Sequence, residues 1–499
     1  MFKRILVANR GEIAVRIMRT ARDMGIETVA VFHSVDKETP FVQYADYAYE
    51  LRGETPKAAY LDIEQILDIT KKSNSEAVHP GFGFLSENPK FAQTCSEAGI
   101  TFIGPKPYAM EVMGNKTAAR ELMANAGVPI VPGTKEKIVT YERACKIAEE
   151  VAYPILLKAA AGGGGKGMRK VSSESELQEA LESAQREALN AFGDDSVYIE
   201  KFIENPKHIE IQILADSHGN CIHLGERDCS IQRRHQKIIE EAPSSVLDEN
   251  TRQKMGEVAI NAAKACDYIN AGTIEFLLDT DKNFYFLEMN TRLQVEHAVT
   301  EMVTGINIVK EQILIAYGEK LRFKQEDVKI NGHAIECRIY AEDPFNNFMP
   351  DTGKITYLRQ PGGYGVRIDS GIESGTEVSI HFDPMLSKLI TWGQDRVAAI
   401  SRMEGALRNY RIKGVKTVIP FLIAAMQHPE FRYGHFDTGF IEHSFDFNVL
   451  DKMKAEHEEI IAAIAAFGYR MTQNQKIPVN IKPKTSTWKE KHLMLRRNI

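Results

Sequence analysis

The sequence of 499 residues is 43% hydrophobic and 26% charged, and its formal net charge at pH 7 is −6. These values exclude a mainly disordered chain, and the negative charge gives no general attraction to nucleic acid or to an anionic membrane. The length allows several domains and a large buried core.

The cysteines and the N-terminal residues indicate the compartment. The six cysteines include no CxxC pair and no disulfide-like spacing, so we expect free thiols and do not favour a zinc site. Residues 1–7 lead straight into a predicted strand without a secretory signal, and no apolar run approaches the length of a membrane span. We therefore expect a soluble protein in a reducing cytoplasm.

The N-terminal part predicts a Rossmann-like layer. Residues 5–8 predict a buried strand, residues 13–24 a helix that ends at Gly25, and residues 28–32 the next strand. The turn after the first strand lacks the G-x-G-x-x-G pattern, so dinucleotide binding is not indicated. His79, Phe82 and Phe84 flank or occupy a glycine-punctuated loop at a strand end, where such sheets bind ligands. Plain loop packing is an equal alternative for these three side chains.

Turn residues between 127 and 133 interrupt this rhythm and indicate a new domain, in which a glycine-rich loop joins two predicted strands. The strands cover residues 154–158 and 168–171, and four successive glycines begin at Gly162. Without Cβ atoms, the backbone N–H groups of such a loop can close over phosphate oxygens. The loop lacks the G-K-[ST] ending and the following helix of a P-loop. We interpret it as a mobile lid over a nucleotide, with Lys116 and Lys158 as partners for the phosphates; a flexible surface hairpin is the alternative.

Charged side chains also occur along the next predicted strands. Glu200 lies near the end of a strand over residues 197–203, where it could bond a base or a ribose. His208 alternates with apolar residues, so it shares a strand face with Glu210 and Gln212. The segment 226–237 is too densely charged for a core strand, so we expect an anion-binding loop there, with a solvated face as the alternative.

Residues 273–290 predict a β-hairpin that could bind a metal ion. Alternating segments surround a turn-rich stretch, residues 279–283. If the turn centres on residues 281 and 282, Glu275 lies opposite Glu288, where two like charges destabilise the strand pair unless a cation bridges them. We interpret the pair as a divalent-metal site with Asn290 as a third oxygen ligand. An ordinary solvated hairpin face is the alternative.

Polar residues continue at every second position beyond this hairpin. If the strand extends to residue 297, one face carries Glu288, Asn290, Arg292, Gln294 and Glu296. Such a set would be costly against a protein core unless it bound ions or a polar ligand. It therefore indicates a binding site.

The C-terminal third predicts mixed structure. Residues 305–317 predict a helix closed by Gly318, and residues 334–340 a strand that places Arg338 and Glu336 on one face. Residues 353–393 are β-rich, and helical segments follow to about residue 470. From residue 471 the chain has seven Lys or Arg against one Glu, which is typical of a mobile basic arm that either holds a partner or is merely solvated.

Several motifs together resemble those of the ATP-grasp ligases, and specifically of the biotin carboxylases. They include the glycine-rich strand–loop–strand and residues 7–14, 79–88, 226–237, 288–297 and 337–338. The resemblance extends to about residue 445 and implies an α/β and α+β architecture with an ATP-grasp fold. The domains it implies are a Rossmann-like N-terminal domain (1–112), an ATP-grasp small lid domain (113–203), an ATP-grasp large half with the metal and bicarbonate site (204–330), a β-rich biotin carboxylase C-terminal domain (331–445), and a helical extension with the basic tail (446–499).

The resemblance also implies an activity. In these enzymes ATP phosphorylates bicarbonate to carboxyphosphate, and the carbon dioxide that carboxyphosphate yields is captured by the ureido nitrogen of biotin. The matching positions for ATP, substrate and cofactor are Lys116, Lys158, Gly163, Gly164, Gly165, Lys166, Gly167, Glu200, Lys201, His208, Gln232, His235, Gln294 and Val295. Glu275, Glu288 and Asn290 match the ligands of Mg²⁺ or Mn²⁺. Lys237 and Arg292 match the bicarbonate site, Glu296 the general base, and Arg338 the cation that stabilises charge on the biotin oxygen.

The partners expected from the resemblance lie on other chains. No Met-Lys-Met biotinyl motif is visible, since residues 453–455 read Met-Lys-Ala in a charged, helix-like stretch. We therefore expect a separate biotin carboxyl carrier protein, a separate carboxyltransferase and a homodimer. The sequence leaves the final acceptor open among acetyl-CoA, propionyl-CoA, pyruvate and other oxo acids.

Two other functions compete with this interpretation. A different ATP-grasp ligase, which makes carbamoyl phosphate or carboxylates a purine precursor, is disfavoured by residues 292–296 together with Arg338. A non-catalytic nucleotide-binding scaffold would be expected to lack at least one of Lys237, Glu296 and Arg338, and all three are present.

Overall fold

The computed structural model describes residues 1–134, 138, 140–159, 168–192, 195–234 and 236–473. One compact unit comprises Met1–Phe445, and a second begins at Asp446. The strands are β1 (Arg4–Val7), β2 (Glu27–His33), β3 (Tyr47–Leu51), β4 (Ala77–His79), β5 (Thr101–Phe102), β6 (Ile155–Ala159), β7 (Met168–Val171), β8 (Val197–Lys201), β9 (Lys207–Ala215), β10 (Cys221–Arg233), β11 (Gln236–Ala242), β12 (Asn270–Leu278), β13 (Phe284–Asn290), β14 (His333–Tyr340), β15 (Glu342–Asp343), β16 (Met349–Pro350), β17 (Gly353–Lys354), β18 (Tyr357–Arg359), β19 (Val366–Ser370), β20 (Glu377–Val378), β21 (Met385–Gly393) and β22 (Arg411–Lys413).

Helices pack beside these strands in the first unit, and one long helix forms the described part of the second. They are α1 (Gly11–Asp23), α2 (Pro40–Tyr44), α3 (Pro56–Tyr60), α4 (Ile63–Lys72), α5 (Pro89–Glu97), α6 (Pro107–Gly114), α7 (Lys116–Asn125), α8 (Tyr141–Val151), α9 (Glu174–Phe192), α10 (Glu249–Ala265), α11 (His297–Thr304), α12 (Ile308–Tyr317), α13 (Arg396–Asn409), α14 (Ile419–Gln427), α15 (Pro429–Tyr433) and α16 (Asn448–Gln473). Among the described residues, no helix is both long and apolar enough to cross a bilayer.

The N-terminal layer is a five-stranded parallel sheet in the order β3-β2-β1-β4-β5. The predicted strand–helix–strand is confirmed as β1, α1 and β2. Gly25 follows α1 with a φ of +74°, a conformation that glycine adopts at little cost at the end of a helix. The helix begins at Gly11, two residues earlier than predicted, and buries Ile13, Ile17 and Met18 in the core. Burial of each such side chain contributes about 1.5–3 kcal/mol.

An antiparallel sheet forms the centre of the first unit, in the order β13-β12-β9-β10-β11-β14-β21-β19. The loop that we expected over residues 226–237 is wrong, because residues 226–233 belong to β10 and residues 236 and 237 begin β11, while anion binding by this segment stays a prediction. Their charges are tolerated in the core because they are paired. The Arg227 guanidinium donates to Glu210 and Gln212, and Asp228 accepts from Lys207 at 3.0 Å.

The predicted hairpin is confirmed as β12 and β13, and Glu275 pairs directly with Glu288. Leu278 pairs with Phe284, so the turn comprises residues 279–283 as predicted but centres on Asp281 rather than between residues 281 and 282. A register shift between Glu275 and Phe276 leaves Leu287 as an extra residue, and this irregularity restores the predicted pairing.

The predicted continuation of this strand to residue 297 is wrong. β13 ends at Asn290, and α11 begins at His297. The strand ends here because the next residues bond to another part of the chain. The backbone N–H of Thr291 donates to Glu87 at 3.0 Å, and Arg292 Nε donates to the same carboxylate at 2.9 Å.

The small predicted α+β unit contains the three-stranded antiparallel sheet β7-β6-β8. The strands on both sides of the glycine-rich loop are confirmed, while the run from Gly162 to Gly167 lies outside the described residues. The predicted β-rich stretch is confirmed in β17 to β21, and α12 ends before Gly318 as expected. All six cysteines are free, as predicted.

The predicted domain boundaries at residues 112, 203 and 330 stay predictions. The eight-stranded sheet takes strands from both sides of residue 330, since β14, β19 and β21 continue it beyond β11. The basic tail lies almost wholly outside the described residues, which end at residue 473.

Candidate active site

A cavity of about 1150 Å³ has walls from the parallel sheet and from the eight-stranded sheet. Asn9, Arg10 and Phe82 are among the residues that the N-terminal layer contributes. The predicted site residues that line the cavity are His208, Gln232, Lys237, Glu275, Glu288, Asn290, Arg292, Gln294, Val295 and Arg338. The structure therefore brings together residues from five separate parts of the sequence.

Lys237 lies at the centre of a buried ionic cluster in the cavity wall. Its Nζ is 2.6 Å from Glu210, 2.8 Å from Glu275 and 2.8 Å from Glu296. Burial alone would lower the pKa of Lys237, but the three carboxylates outweigh burial and hold that pKa well above its usual range. Lys237 is thus a fixed positive charge at the cavity wall.

Glu296 is fully buried and accepts hydrogen bonds from two cations. Lys237 Nζ donates to its Oε1, and Arg338 Nη2 donates to its Oε2 at 2.9 Å. Burial opposes the negative charge, but Lys237 and then Arg338 outweigh burial and hold the pKa of Glu296 well below its usual range. The carboxylate is therefore ionised and can accept a proton.

Arg338 joins this cluster to a second carboxylate, Glu240. Its Nε donates to Glu240 Oε1 at 2.6 Å, while its Nη2 bonds to Glu296. Burial opposes the charge of Arg338, but Glu240 and Glu296 raise its pKa well above the usual value. The guanidinium thus stays charged where it lines the cavity.

Glu275, Glu288 and Asn290 fit a divalent cation. Burial raises the pKa of Glu288, and the negative charge of Glu275 raises it further, so this carboxylate is short of a compensating cation. Glu275 accepts from Asn290 Nδ2 at 2.8 Å and lies 2.8 Å from His208 Nε2. Two carboxylates and an amide oxygen are ligands that Mg²⁺ and Mn²⁺ prefer.

The loop after β13 is held by a chain of side-chain contacts. Arg292 donates to Asn290 Oδ1 and to Gln294 Oε1, both at 2.9 Å, and also bonds to Glu87. Gln294 Nε2 in turn donates to Glu275 at 3.3 Å. These contacts turn Arg292 and Gln294 toward the cavity although the strand has ended.

Gln232 and Val295 are fixed by similar contacts. Gln232 Nε2 lies 3.0 Å from His208 Nδ1 and donates to the carbonyl oxygen of Cys229 at 2.9 Å. The carbonyl oxygen of Val295 accepts from the buried Lys388 at 2.8 Å. Both predicted positions therefore belong to a rigid wall.

The predicted phosphate and nucleotide residues form a separate group near the small sheet. Glu200 accepts from Arg120 at 2.6 Å and from Lys158. Lys116 begins α7 and is exposed, and its positive charge partly opposes the rise in the pKa of Glu288. Lys158 is 33% exposed, so its ammonium group can still be reached by a ligand.

Some predicted positions are placed elsewhere or lie outside the described chain. Lys201 Nζ donates to the carbonyl oxygens of Ala152 and Tyr153 at 3.0 and 3.1 Å. His79 is fully buried and accepts from the Gly81 backbone at 3.1 Å, which favours loop packing for it, whereas Phe82 and Phe84 line the cavity. The predicted positions outside the described residues are Gly163, Gly164, Gly165, Lys166, Gly167 and His235.

Sequence reasoning missed several residues of the site. Glu210 contacts both Lys237 and Arg227, and its position on the face of His208 was a usable signal. Glu87 lies near the end of the motif over residues 79–88 and forms an ion pair with Arg292. No sequence pattern indicated that Glu240 belongs to the site, because its partner Arg338 is far away in the sequence.

Comparisons with known proteins identify the family. Residues 1–110 match the model "Biotin carboxylase, N-terminal domain", residues 115–324 "Carbamoyl-phosphate synthase L chain, ATP binding domain", and residues 336–443 "Biotin carboxylase C-terminal domain". Biotin carboxylase 1 of Bacillus subtilis is 51% identical over 89% of this chain and 98% of its own length. The chain belongs to the biotin carboxylase family.

Other relatives agree with this assignment. A pyruvate carboxylase component of Methanothermobacter thermautotrophicus is 53% identical over 89% of this chain and 90% of its own length. The biotin carboxylase of Campylobacter jejuni in an ATP-analogue complex superposes with a TM-score of 0.83 at 47% identity, over 89% of this chain and 99% of that one. A third similar structure is the biotin carboxylase domain dimer of Hydrogenobacter thermophilus 2-oxoglutarate carboxylase, bound to MgADP, ADP and bicarbonate. It superposes with a TM-score of 0.82 at 50% identity, over 89% of this chain and 97% of that one.

The family assignment confirms the predicted family, fold class and kind of activity, while the roles of the individual site residues stay predictions. The fold is the biotin carboxylase form of ATP-grasp, with a parallel N-terminal sheet and antiparallel sheets elsewhere. The chain is an ATP-dependent ligase of the biotin carboxylase type, and the solved relatives bind MgADP and bicarbonate or an ATP analogue.

Proposed function

We propose that this chain is the biotin carboxylase component of a biotin-dependent carboxylase, and that Lys237, Glu296 and Arg338 perform the chemistry. The observation that supports this most directly is the linked arrangement of these three side chains. Glu296 bonds to both cations behind the cavity wall, while Lys237 and Arg338 themselves line the cavity.

Bicarbonate is activated by Glu296 in this proposal. Bicarbonate is a weak nucleophile, so a positioned base that accepts its proton increases its reactivity. An oxygen of bicarbonate attacks the γ-phosphorus of ATP, ADP leaves, and the proton passes to the Glu296 carboxylate, which gives carboxyphosphate. Lys237 and Arg292 supply positive charge for the anion, and Gln294 and Val295 fix its position.

Arg338 acts on biotin in the second part of the reaction. Carboxyphosphate breaks into carbon dioxide and phosphate, and the phosphate takes the proton of the ureido nitrogen of biotin. Negative charge then develops on the ureido oxygen until the nitrogen bonds to the carbon dioxide. A charged guanidinium placed where this charge develops lowers the barrier. The raised pKa of Arg338 keeps the guanidinium charged for this role.

The nucleotide is held from the opposite side. Lys116, Lys158 and the glycine-rich loop are proposed to bind phosphate oxygens, with Glu200, Lys201 and His208 nearer the nucleoside. Glu275, Glu288 and Asn290 would hold Mg²⁺ or Mn²⁺, which neutralises charge on the transferring phosphoryl group.

The partners of the chain are proposed from its relatives. One relative is a component of a pyruvate carboxylase and another is the small subunit of a 2-oxoglutarate carboxylase, while one solved neighbour is a dimer. We expect a separate biotin carrier, a separate carboxyltransferase, a homodimer and a cytoplasmic location. Because docking of a carrier adds binding energy that free biotin lacks, free biotin should be a poor substrate.

The test is ADP release by the purified protein with ATP and Mg²⁺. We expect bicarbonate and biotin to increase the rate together, and carbon from labelled bicarbonate to appear in carboxybiotin. A carrier protein recovered with the chain from its source should become carboxylated faster than free biotin. ADP release that neither bicarbonate nor biotin increases would contradict the proposal.

A further inference from the structure

Two buried carboxyl groups, Glu240 and Glu336, lie behind Arg338 and have no assigned role. They are direct partners across β11 and β14, and both are fully buried. Glu240 Oε1 accepts from Arg338 Nε at 2.6 Å. Within the described part of the chain, Glu240 Oε2 and both carboxyl oxygens of Glu336 have no hydrogen-bond partner.

This arrangement cannot hold two negative charges cheaply. A buried carboxylate without hydrogen-bond donors is costly, and two carboxylates placed opposite each other on neighbouring strands also repel. When two carboxyl groups share a site in this way, one of them retains its proton at neutral pH. The nearest cations do not neutralise two carboxylates here. Arg338 also bonds to Glu296, and Lys388 also lies 3.3 Å from Glu12.

Several groups determine the charge state of Glu240. The charged or titratable groups that act on it are Glu336, Cys337, Arg338 and Tyr340 on β14, Cys229 on β10, Lys237 on its own strand and Glu296 in the loop before α11. Burial has the largest effect and raises the pKa of Glu240 to about 7, although Arg338 opposes the shift. Burial also raises the pKa of Glu336 well above its usual value.

Arg338 connects this pair to Glu296, which is the base in the proposed function. With Glu240 protonated, the charge of Arg338 acts mainly on Glu296 and weakens its affinity for a proton. With Glu240 ionised, Arg338 is shared between two carboxylates, and Glu296 becomes the stronger base. The ionisation state of Glu240 therefore changes the proton affinity of Glu296 through the Arg338 guanidinium.

We propose that Glu336, which has no hydrogen-bond donor among the described residues, stays neutral, and that Glu240 is a positioning residue which sets, through Arg338, how strongly Glu296 takes the proton of bicarbonate. This inference rests on the proposed role of Glu296. It adds a second carboxyl pair to the enzyme, separate from the predicted metal pair Glu275 and Glu288.

The test is the pH dependence of biotin-dependent ADP release in Glu240→Gln. Below pH 7 the parent carries a neutral Glu240, so the variant and the parent should have similar rates. As the pH rises through about 7, the parent should gain about three- to tenfold from the stronger base, and the variant should lack this gain. Thermal unfolding should show that the variant is folded.

Glu241→Gln is the matched control. Glu241 is the next residue of β11 and equally buried, but it pairs with Arg396 at 2.9 Å, and its pKa is lowered to about 2 because Arg396 outweighs the effect of burial. Its removal should leave the shape of the pH profile unchanged, whatever it does to stability. Glu336→Gln replaces a carboxyl group that keeps its proton with a neutral amide, so the rise should stay at about pH 7.

The outcomes separate this inference from the proposed function. If the parent is active, Glu296→Gln is inactive, and Glu240→Gln keeps the parental profile, the inference is wrong and the proposed function stands. If Glu240→Gln does not fold, a parental rate that does not rise through about pH 7 overturns the inference instead. If the parent shows no biotin-dependent ADP release, the proposed function fails.

Discussion

The eight-stranded sheet and the small three-stranded sheet both place a lysine beside a glutamate, but they do so in different ways. Lys237 of the large sheet bonds to three carboxylates that are each at most 4% exposed. Lys158 of the small sheet is 33% exposed and bonds to Glu200, which also serves Arg120. The cluster around Lys237, which we call the closed cluster, is buried and fully paired without ligand. The pair of Lys158 and Glu200 is partly exposed, so its members can exchange partners.

The difference indicates a division of labour. Buried ions that bond to each other keep their geometry without ligand, so the charges that face bicarbonate and biotin are already in place. Half-exposed ion pairs contribute little to stability, about 0–1 kcal/mol, so phosphate oxygens can replace Glu200 as the partner of Lys158 at small cost. We infer that the large sheet serves chemistry and the small sheet serves nucleotide capture.

The largest effect should come from the closed cluster. Glu296→Gln removes the proposed base and leaves Lys237 and Arg338 facing a neutral amide, so we expect biotin-dependent ADP release to fall by about 10²–10⁴-fold. Steady-state rates at saturating ATP measure this. Glu226→Gln is the control, because Glu226 is also buried in this sheet but bonds to Arg252 at 2.7 Å. A similar loss in both variants would assign the effect to the fold.

A smaller effect should come from the metal pair at the cavity wall. Glu288→Gln should lower turnover at limiting Mg²⁺ by about 10–100-fold, because one ligand charge is lost, and excess Mg²⁺ should restore part of it. The pKa of Glu288 is raised, so its charge is unfavourable in the folded protein. The thermal midpoint at neutral pH should therefore not fall. An unchanged Mg²⁺ requirement would show that Glu288 is not a ligand.

The same comparison explains how far sequence reasoning could go. The pairing of Glu275 with Glu288 was predictable because the two residues lie on one hairpin, and like charges on opposite strands demand an explanation. The irregularity at Leu287 was not predictable, and the register agreed only because the bulge compensated for a turn centred on Asp281 rather than between residues 281 and 282. Local patterns thus indicated which carboxylates meet but not the backbone that presents them.

The errors have one physical cause. From sequence, residues 226–237 contain too many charges for a core strand, because the sequence does not show which residues neutralise them. The partners are Glu210, Lys207 and Arg252, which lie on other elements. The strand after Asn290 ended early because Glu87, from the N-terminal layer, bonds to Arg292. Long-range ion pairs decided both cases, and alternation within a segment carries no information about them.

In the small sheet, Glu200→Gln should have a modest effect. Lys158 and Arg120 lose a charged partner but remain half-buried cations, so we expect KM for ATP to change by about three- to tenfold and kcat by less than twofold. Initial rates over a range of ATP concentrations separate the two constants. A loss in kcat as large as that of Glu296→Gln would mean that the small sheet takes part in the chemical step and that the division of labour is wrong.

The smallest effect should be seen in backbone protection when nucleotide binds. If Lys158 leaves Glu200 for phosphate, β6 and β8 gain a ligand that bridges them to the large sheet, and their amide hydrogens should exchange more slowly with an ATP analogue and Mg²⁺. The amides of β9 and β11, whose side chains already form the closed cluster, should change little. Hydrogen–deuterium exchange of peptides from residues 155–159, 197–201, 207–215 and 236–242 makes the comparison within one sample. Equal protection of both groups would show that the large sheet also becomes ordered on binding, and the cluster around Lys237 would then depend on ligand for its geometry.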